Sequence, residues 1–147
     1  MVDHAIFYIG QSCLLKRTVT AEEVETFARA TGDVNPVHLD EAYAAKTRFK
    51  RRIAHGMLIA SFISGLLGTK FPGPGTIYMS QSLKFLRPVF LGDEVTVSAA
   101  VIAWRPERSI LTLETMVHNQ RGEKVLSGEA VCLVEDVLAE GDMRASA

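Results

Sequence analysis

Residues 57–67, Met-Leu-Ile-Ala-Ser-Phe-Ile-Ser-Gly-Leu-Leu, carry no charge and are apolar on nearly every face. A helix without a polar stripe has to be enclosed by other structure. The surrounding apolar stretch, Ile53 to Gly68, includes His55, Ser61 and Ser64 and is shorter than the roughly 18 to 20 residues needed to cross a bilayer. It reads as a buried core helix, and no membrane association is expected.

The second half of the chain supplies a wrapper. Thr76–Phe85, Glu94–Trp104, Ser109–Asn119 and Lys124–Glu135 are β-rich runs separated by turn signals. Alternation in Glu94-Val-Thr-Val-Ser98 and in Leu111-Thr-Leu-Glu-Thr-Met116 fits strands with one face covered. Arg105-Pro-Glu-Arg108 and Gln120-Arg-Gly-Glu123 suit hairpin turns, which makes consecutive strands antiparallel. The first half reads helical. Thr20-Ala-Glu-Glu23 has the spacing of a capping box and predicts a helix from near Ala21, with Gly32 ending it. Asn35 before Pro36 marks a sharp turn, and Asp40 can cap a second short helix through Ala44. The expected architecture is α+β, one antiparallel sheet curled around one buried helix, in a single domain over residues 1–147 with a loose tail at 135–147.

Charge and cysteine content narrow the function classes. Sixteen Lys and Arg against 17 Asp and Glu leave a net charge of −1, so a phosphate backbone would find little general attraction and nucleic acid is not an expected partner. Cys13 and Cys132 make neither a metal set nor a disulfide framework. His4, His38, His55 and His118 show no metal-ligand spacing, and no metal is expected. The N-terminal residues lack the pattern of a secretory signal, so the expected compartment is cytoplasmic. Phe71-Pro-Gly-Pro-Gly75 lacks nucleotide-fingerprint spacing and reads as a turn.

The densest polar cluster is Thr31-Gly-Asp-Val-Asn-Pro-Val-His38. Asp33 and His38 could not share one face of a straight helix, but a turn set by Gly32 and Pro36 can aim both at one water. A blander reading has Asp33 or Asn35 in an Asx turn and His38 as an ordinary satisfied polar residue. Gly56, at the start of the enclosed helix, offers an unpaired N–H to a ligand oxygen, or else serves tight packing. His55 beside it is expected to cap the helix or fill space. Lys46-Thr-Arg-Phe-Lys-Arg-Arg52 holds five positive charges in seven residues. It is either a solvated loop or a dock for phosphate through Lys50, Arg51 and Arg52.

Phe27-Ala-Arg-Ala-Thr-Gly-Asp-Val-Asn-Pro-Val-His38, Ala45 and Ala54-His-Gly-Met-Leu-Ile-Ala-Ser61 resemble the hydratase motif of MaoC-like proteins, specifically the (R)-specific enoyl-CoA hydratases. The likeness continues through Gly65–Gly68, Phe71–Gly73, Ile77–Tyr78, Gln81–Leu83, Arg87–Phe90 and Gly92–Glu94. It implies a hot-dog fold, with the sheet as bun and the helix as filling, and a homodimer with active sites near the subunit interface. By position in the motif, Asp33 and His38 match the catalytic dyad, Gly56 the donor to the thioester oxygen, and Ser64 a hydroxyl of the active-site shell. A Ser in an apolar helix can equally bond its own backbone. The implied substrate is an acyl-CoA thioester, with acyl carrier protein as the other possible carrier. No cofactor is implied, CoA being part of the substrate.

Two rivals remain at this level. Other hot-dog enzymes, thioesterases and 3-hydroxyacyl-ACP dehydratases, commonly place a carboxylate on the central helix, whereas 57–67 holds no Asp or Glu. The fatty-acid dehydratases carry a His just before Phe-Pro-Gly, where this chain has Lys70. The other rival is an acyl-CoA-binding module without turnover.

Overall fold

The computed structural model describes residues 7–135, so His4 and the expected tail, apart from Glu135, lie outside the described residues. The buried helix is α4, Gly56–Thr69. Leu58, Ile59, Ala60, Phe62, Ile63, Leu66 and Leu67 are its buried positions. Around it runs a six-stranded sheet: β1 (Ser12–Thr18), β2 (Ile77–Gln81), β3 (Lys84–Phe85), β4 (Glu94–Arg105), β5 (Ile110–His118) and β6 (Lys124–Leu133). The order is β1-β4-β5-β6-β2, with β3 also on β6, and every pairing is antiparallel. The expected α+β layout is present.

Period-two patterning explains which sheet face meets the helix. Val95, Val97, Ala99 and Val101 of β4 and Leu111, Leu113, Thr115 and Val117 of β5 are buried at alternate positions. All of these but Thr115 form one apolar core with Ile63, Leu66 and Leu67. Helix α1, Ala21–Thr31, starts as its capping box dictates: Thr20 Oγ1 accepts from the Glu23 N–H, and Glu23 Oε1 accepts from the Thr20 N–H. Gly32 ends it in the left-handed conformation, φ 80°. Asp40 caps α3, Glu41–Ala45, through the Tyr43 N–H.

Three features differ from the sequence reading. Ser12–Thr18 is a strand in a half expected to be helical; it is an edge strand whose side chains are mostly exposed, so it lacks a strong apolar period. The run expected over Thr76–Phe85 breaks into β2 and β3. At the break the Ser82 carbonyl crosses Gly128 of β6 so closely that a Cβ on Gly128 would stand 1.8 Å from that oxygen. Finally, the helix is not enclosed on all sides. Met57, Ser61, Ser64, Gly65 and Gly68 form an exposed stripe of it. No helix among the described residues is long and apolar enough to cross a membrane.

Ile63 is fully buried at the centre of this packing. Ile63→Ala is expected to lower the unfolding free energy by about 2–5 kcal/mol, read from the shift of a urea midpoint at unchanged slope.

Candidate active site

The loop between α1 and α3 is built by side chains that hold their own backbone. Thr31 Oγ1 donates to the Phe27 carbonyl and accepts from the Asp33 N–H. Asp33 Oδ1 accepts from the Asn35 N–H at 3.3 Å, and Asn35 Oδ1 from the Val37 N–H at 3.2 Å. These are Asx turns. Pro36 then opens the short helix α2, Pro36–Leu39, which the sequence reading took for a turn alone and which carries His38. The blander reading of Asp33 is therefore true as far as it goes, because one carboxylate oxygen organises the loop. The other makes no hydrogen bond among the described residues.

His38 is 8% exposed, and its Nδ1–H donates to the Ile53 carbonyl at 2.8 Å. A carbonyl can only accept, so the neutral ring carries its lone pair on Nε2. Burial holds the His38 pKa below the ordinary imidazole value of 6.5. The Ile53 hydrogen bond opposes that shift, nearby His55 adds to it, and the Asp33 carboxylate opposes it. His55 is 2% exposed. It makes no side-chain cap on α4; instead its Nε2–H donates to the Asp33 carbonyl at 2.9 Å, and its ring stacks on His38 at 3.9 Å between centroids.

Asp33, His38, His55 and Gly56 line one cavity of about 480 Å³. Donor atoms of Asp33, His38 and His55 lie within 4.8 Å of one another. A water with hydrogen bonds of about 2.8 Å can bridge groups within such a span. Immediately after His55, the Gly56 and Met57 N–H groups open α4 with no acceptor among the described residues, and the first turn has no acidic side chain. Such a helix start favours negative charge. The Phe85 ring lies over Gly56, leaving no room for a Cβ, which would stand 2.7 Å from Cδ1.

Two groups of expected residues fall elsewhere. Ser64 lies eight residues beyond Gly56, about 12 Å along the axis. It lines an adjoining groove of about 460 Å³ with Ser61, Tyr78, Met79 and Gln81, which meets the first cavity only at Met57. Ser61 back-bonds to the Met57 carbonyl, as a helical Ser often does, but Ser64 makes no such bond. Of the basic loop, Arg52 is turned inward: Nε donates to the His38 carbonyl at 2.6 Å, and the carboxylates of Glu25 and Glu41 stand 3.9 Å from its guanidinium. That corrects the phosphate role expected of it, since its charge is already engaged. Arg51 packs over the Phe90 ring at 3.9 Å, and Lys50 is exposed. The basic side chains lining the cavity are Arg48 and Arg87, neither singled out from the sequence. Arg48 stood within the quoted charge run, but nothing in that run distinguishes an inward Arg from an outward one.

The chain matches the family described as MaoC like domain over residues 8–120. It is 50% identical over 123 residues to an (R)-specific enoyl-CoA hydratase of Aeromonas caviae, covering 84% of this chain and 92% of that one. Among solved structures, it is similar to the (R)-hydratase from A. caviae involved in PHA biosynthesis, with a TM-score of 0.86 and 48% identity over 88% of this chain and 98% of that chain. It is also similar to the unliganded R-hydratase of Pseudomonas aeruginosa, with a TM-score of 0.86 and 43% identity over 93% of this chain and 91% of that chain. The fold is the hot-dog fold.

Gly56→Ala tests the close approach at the helix start. Phe85 is 53% exposed and free to turn away, so the melting midpoint is expected to stay near that of the parent. The displaced ring then crowds the cavity, and turnover of an enoyl thioester is expected to fall at least about tenfold, measured by loss of enoyl absorbance.

Proposed function

This chain belongs to the MaoC-like family, and from that premise we propose that it is an (R)-specific enoyl-CoA hydratase. The reaction is reversible syn hydration of a trans-2-enoyl-CoA to the (R)-3-hydroxyacyl-CoA. The observation that carries the reading is the convergence of the Asp33 and His38 side chains on one cavity that also meets the Gly56 N–H.

Three tasks have to be filled: deprotonating the attacking water, protonating C2, and holding negative charge on the thioester oxygen. The Nε2 lone pair of His38 takes a proton from the water as its oxygen bonds to C3. The Asp33 carboxylate accepts the other water hydrogen and faces the charge that forms on the imidazole. His38 then returns its proton to C2, on the same side from which the oxygen entered. One dyad on one face gives syn addition. The enolate oxygen meets the Gly56 N–H at the start of α4, where losing such a donor typically costs about 2.7–4 kcal/mol. The conjugated carbonyl itself activates C3, so the chemistry calls for no cofactor.

The carrier's phosphates fall to Arg48 and Arg87 at the cavity, with exposed Lys50 and Arg51 on the same loop as Arg48. CoA is the carrier proposed, in keeping with the similar (R)-specific enoyl-CoA hydratases; an acidic carrier protein would meet the same charges. The two cysteines stand unbridged, which is in keeping with a cytoplasmic location.

A homodimer is part of the same reading. The α4 stripe of Met57, Ser61, Ser64, Gly65 and Gly68 is open, and β2 beside it exposes Ile77, Tyr78 and Met79 at the sheet edge. An apolar edge strand with free backbone groups invites pairing. A second copy there would cover both features and close the groove that holds Ser64. Met79→Lys is expected to move the protein from dimer to monomer in sedimentation equilibrium, and a monomeric parent would remove the dimer.

Hydration of crotonyl-CoA without release of thiol is expected, and thiol release from a saturated acyl-CoA would point to the thioesterase class instead. Asp33→Asn and His38→Ala are each expected to lower kcat/KM by at least about 10²- to 10⁴-fold with melting curves close to the parent's. Full activity in either variant would remove the dyad. The base must be unprotonated, and burial lowers the His38 pKa. The acidic limb of kcat/KM is therefore expected below 6.5, with the rate falling as pH drops through it.

A further inference from the structure

His55 has no part in the proton transfers just described, yet no side chain around the dyad is more deeply engaged. It is 2% exposed and bridges two separate stretches of chain. Its Nε2–H donates to the Asp33 carbonyl 22 residues away at 2.9 Å. One face of its ring lies on the His38 ring, with centroids 3.9 Å apart and planes 30° apart. Phe27 of α1 packs against it at 4.9 Å and 62°. The next residue is Gly56, so the same backbone that carries the imidazole also carries the N–H proposed for the thioester oxygen.

We propose that His55 is a positioning residue of the hydration reaction, fixing the separation between the Asp33 carboxylate and the His38 ring and the distance of both from the Gly56 N–H. The proposal rests on the hydratase reading above. Each function of the ring has a separate stand-in. A phenyl ring would supply the face but no donor to the Asp33 carbonyl. A carboxamide would supply the donor but no face for His38. An imidazole supplies both at once. Its remaining nitrogen, Nδ1, is buried with no hydrogen-bond partner among the described residues. A side chain chosen only to fill this space would not leave a polar atom so placed.

The same contact couples His55 to the ionisation of His38. The groups facing His38 are Asp33 from the loop after α1, His55 ahead of α4, and Arg52, whose guanidinium holds the His38 carbonyl and stands beside Glu25 and Glu41. Arg48 lines the same cavity. Of the two that act directly, Asp33 favours the charged ring and His55 disfavours it. Removing His55 therefore raises the pH at which His38 gains its proton.

The test uses His55→Phe and His55→Gln in the full chain, with rates measured on crotonyl-CoA. Each is expected to lower kcat at least about tenfold, to change KM by less than about threefold, and to move the acidic limb of kcat/KM to higher pH. A purely space-filling role would lower melting temperature and folded fraction in step with rate and leave the pH limb in place; that result overturns the proposal, as does parental kcat in either folded variant. Nitrogen-15 NMR of the unmodified protein decides independently of whether the variants fold. The expected protons are on Nε2 of His55 and Nδ1 of His38, and a His55 proton on Nδ1 overturns the proposal. A parent that does not hydrate crotonyl-CoA removes the hydratase reading and this inference with it, an outcome told apart by the parent's own rate.

Discussion

Four extended residues, Arg52 to His55, hold the site together. The Ile53 N–H donates to the Val37 carbonyl, and the Ile53 carbonyl accepts from His38 Nδ1. Ile53 also bridges Phe90, and the Ala54 N–H donates to the Val89 carbonyl. Arg52 and His55 reach back to the carbonyls of His38 and Asp33. One short stretch thus clamps the dyad loop on one side, the sheet connection on the other, and then launches α4. Backbone groups buried away from water have to be paired, and here the pairing that satisfies them also sets the positions of Asp33 and His38.

That economy has an electrostatic consequence. In a partly water-excluded cavity a proton acceptor must be kept neutral until it is needed. The Ile53 carbonyl decides which nitrogen of His38 bears the proton, and burial opposes a second one. Asp33, by contrast, is exposed. Two titratable groups in unlike surroundings face one point. Next to His55, the start of α4 has N–H groups with no acceptor among the described residues, a source of partial positive charge. Rigid placement of these three elements matters more than the strength of any one of them.

Local rules made much of this legible in the sequence. The capping box at Thr20, the left-handed stop at Gly32 and the cap at Asp40 each depend on residues a few positions apart, and each formed as read. The alternating strands β4 and β5 were legible because one face of each is buried. Asp33, His38 and Gly56 line one cavity as the motif suggested. Features decided by distant partners were not legible. Edge strand β1 has little buried surface to imprint a period, and the break between β2 and β3 depends on Gly128, some 45 residues away in the chain. Arg52 is indistinguishable from Arg51 by type, and the His38 carbonyl, with the carboxylates of Glu25 and Glu41 nearby, draws it inward. Ser64 was placed by motif, but eight residues of helix carry it about 12 Å along the axis from Gly56, into the adjoining groove.

Two buried nitrogens have no hydrogen-bond partner among the described residues, His55 Nδ1 and one terminal nitrogen of Arg52, and both belong to side chains that hold the backbone of Asp33 or His38. An unsatisfied buried polar group costs about 1–3 kcal/mol, and more when charged. A chain selected for stability alone would replace both with apolar residues, as large-volume swaps in buried ion pairs often prove neutral or stabilising. Yet either replacement would release a carbonyl, that of Asp33 or of His38, from the donor that orients it. The penalty is therefore concentrated where the backbone of the two dyad residues is held. Local departure from the most stable arrangement is expected at sites that must fix reacting groups in place, and in this chain it falls on both members of one pair.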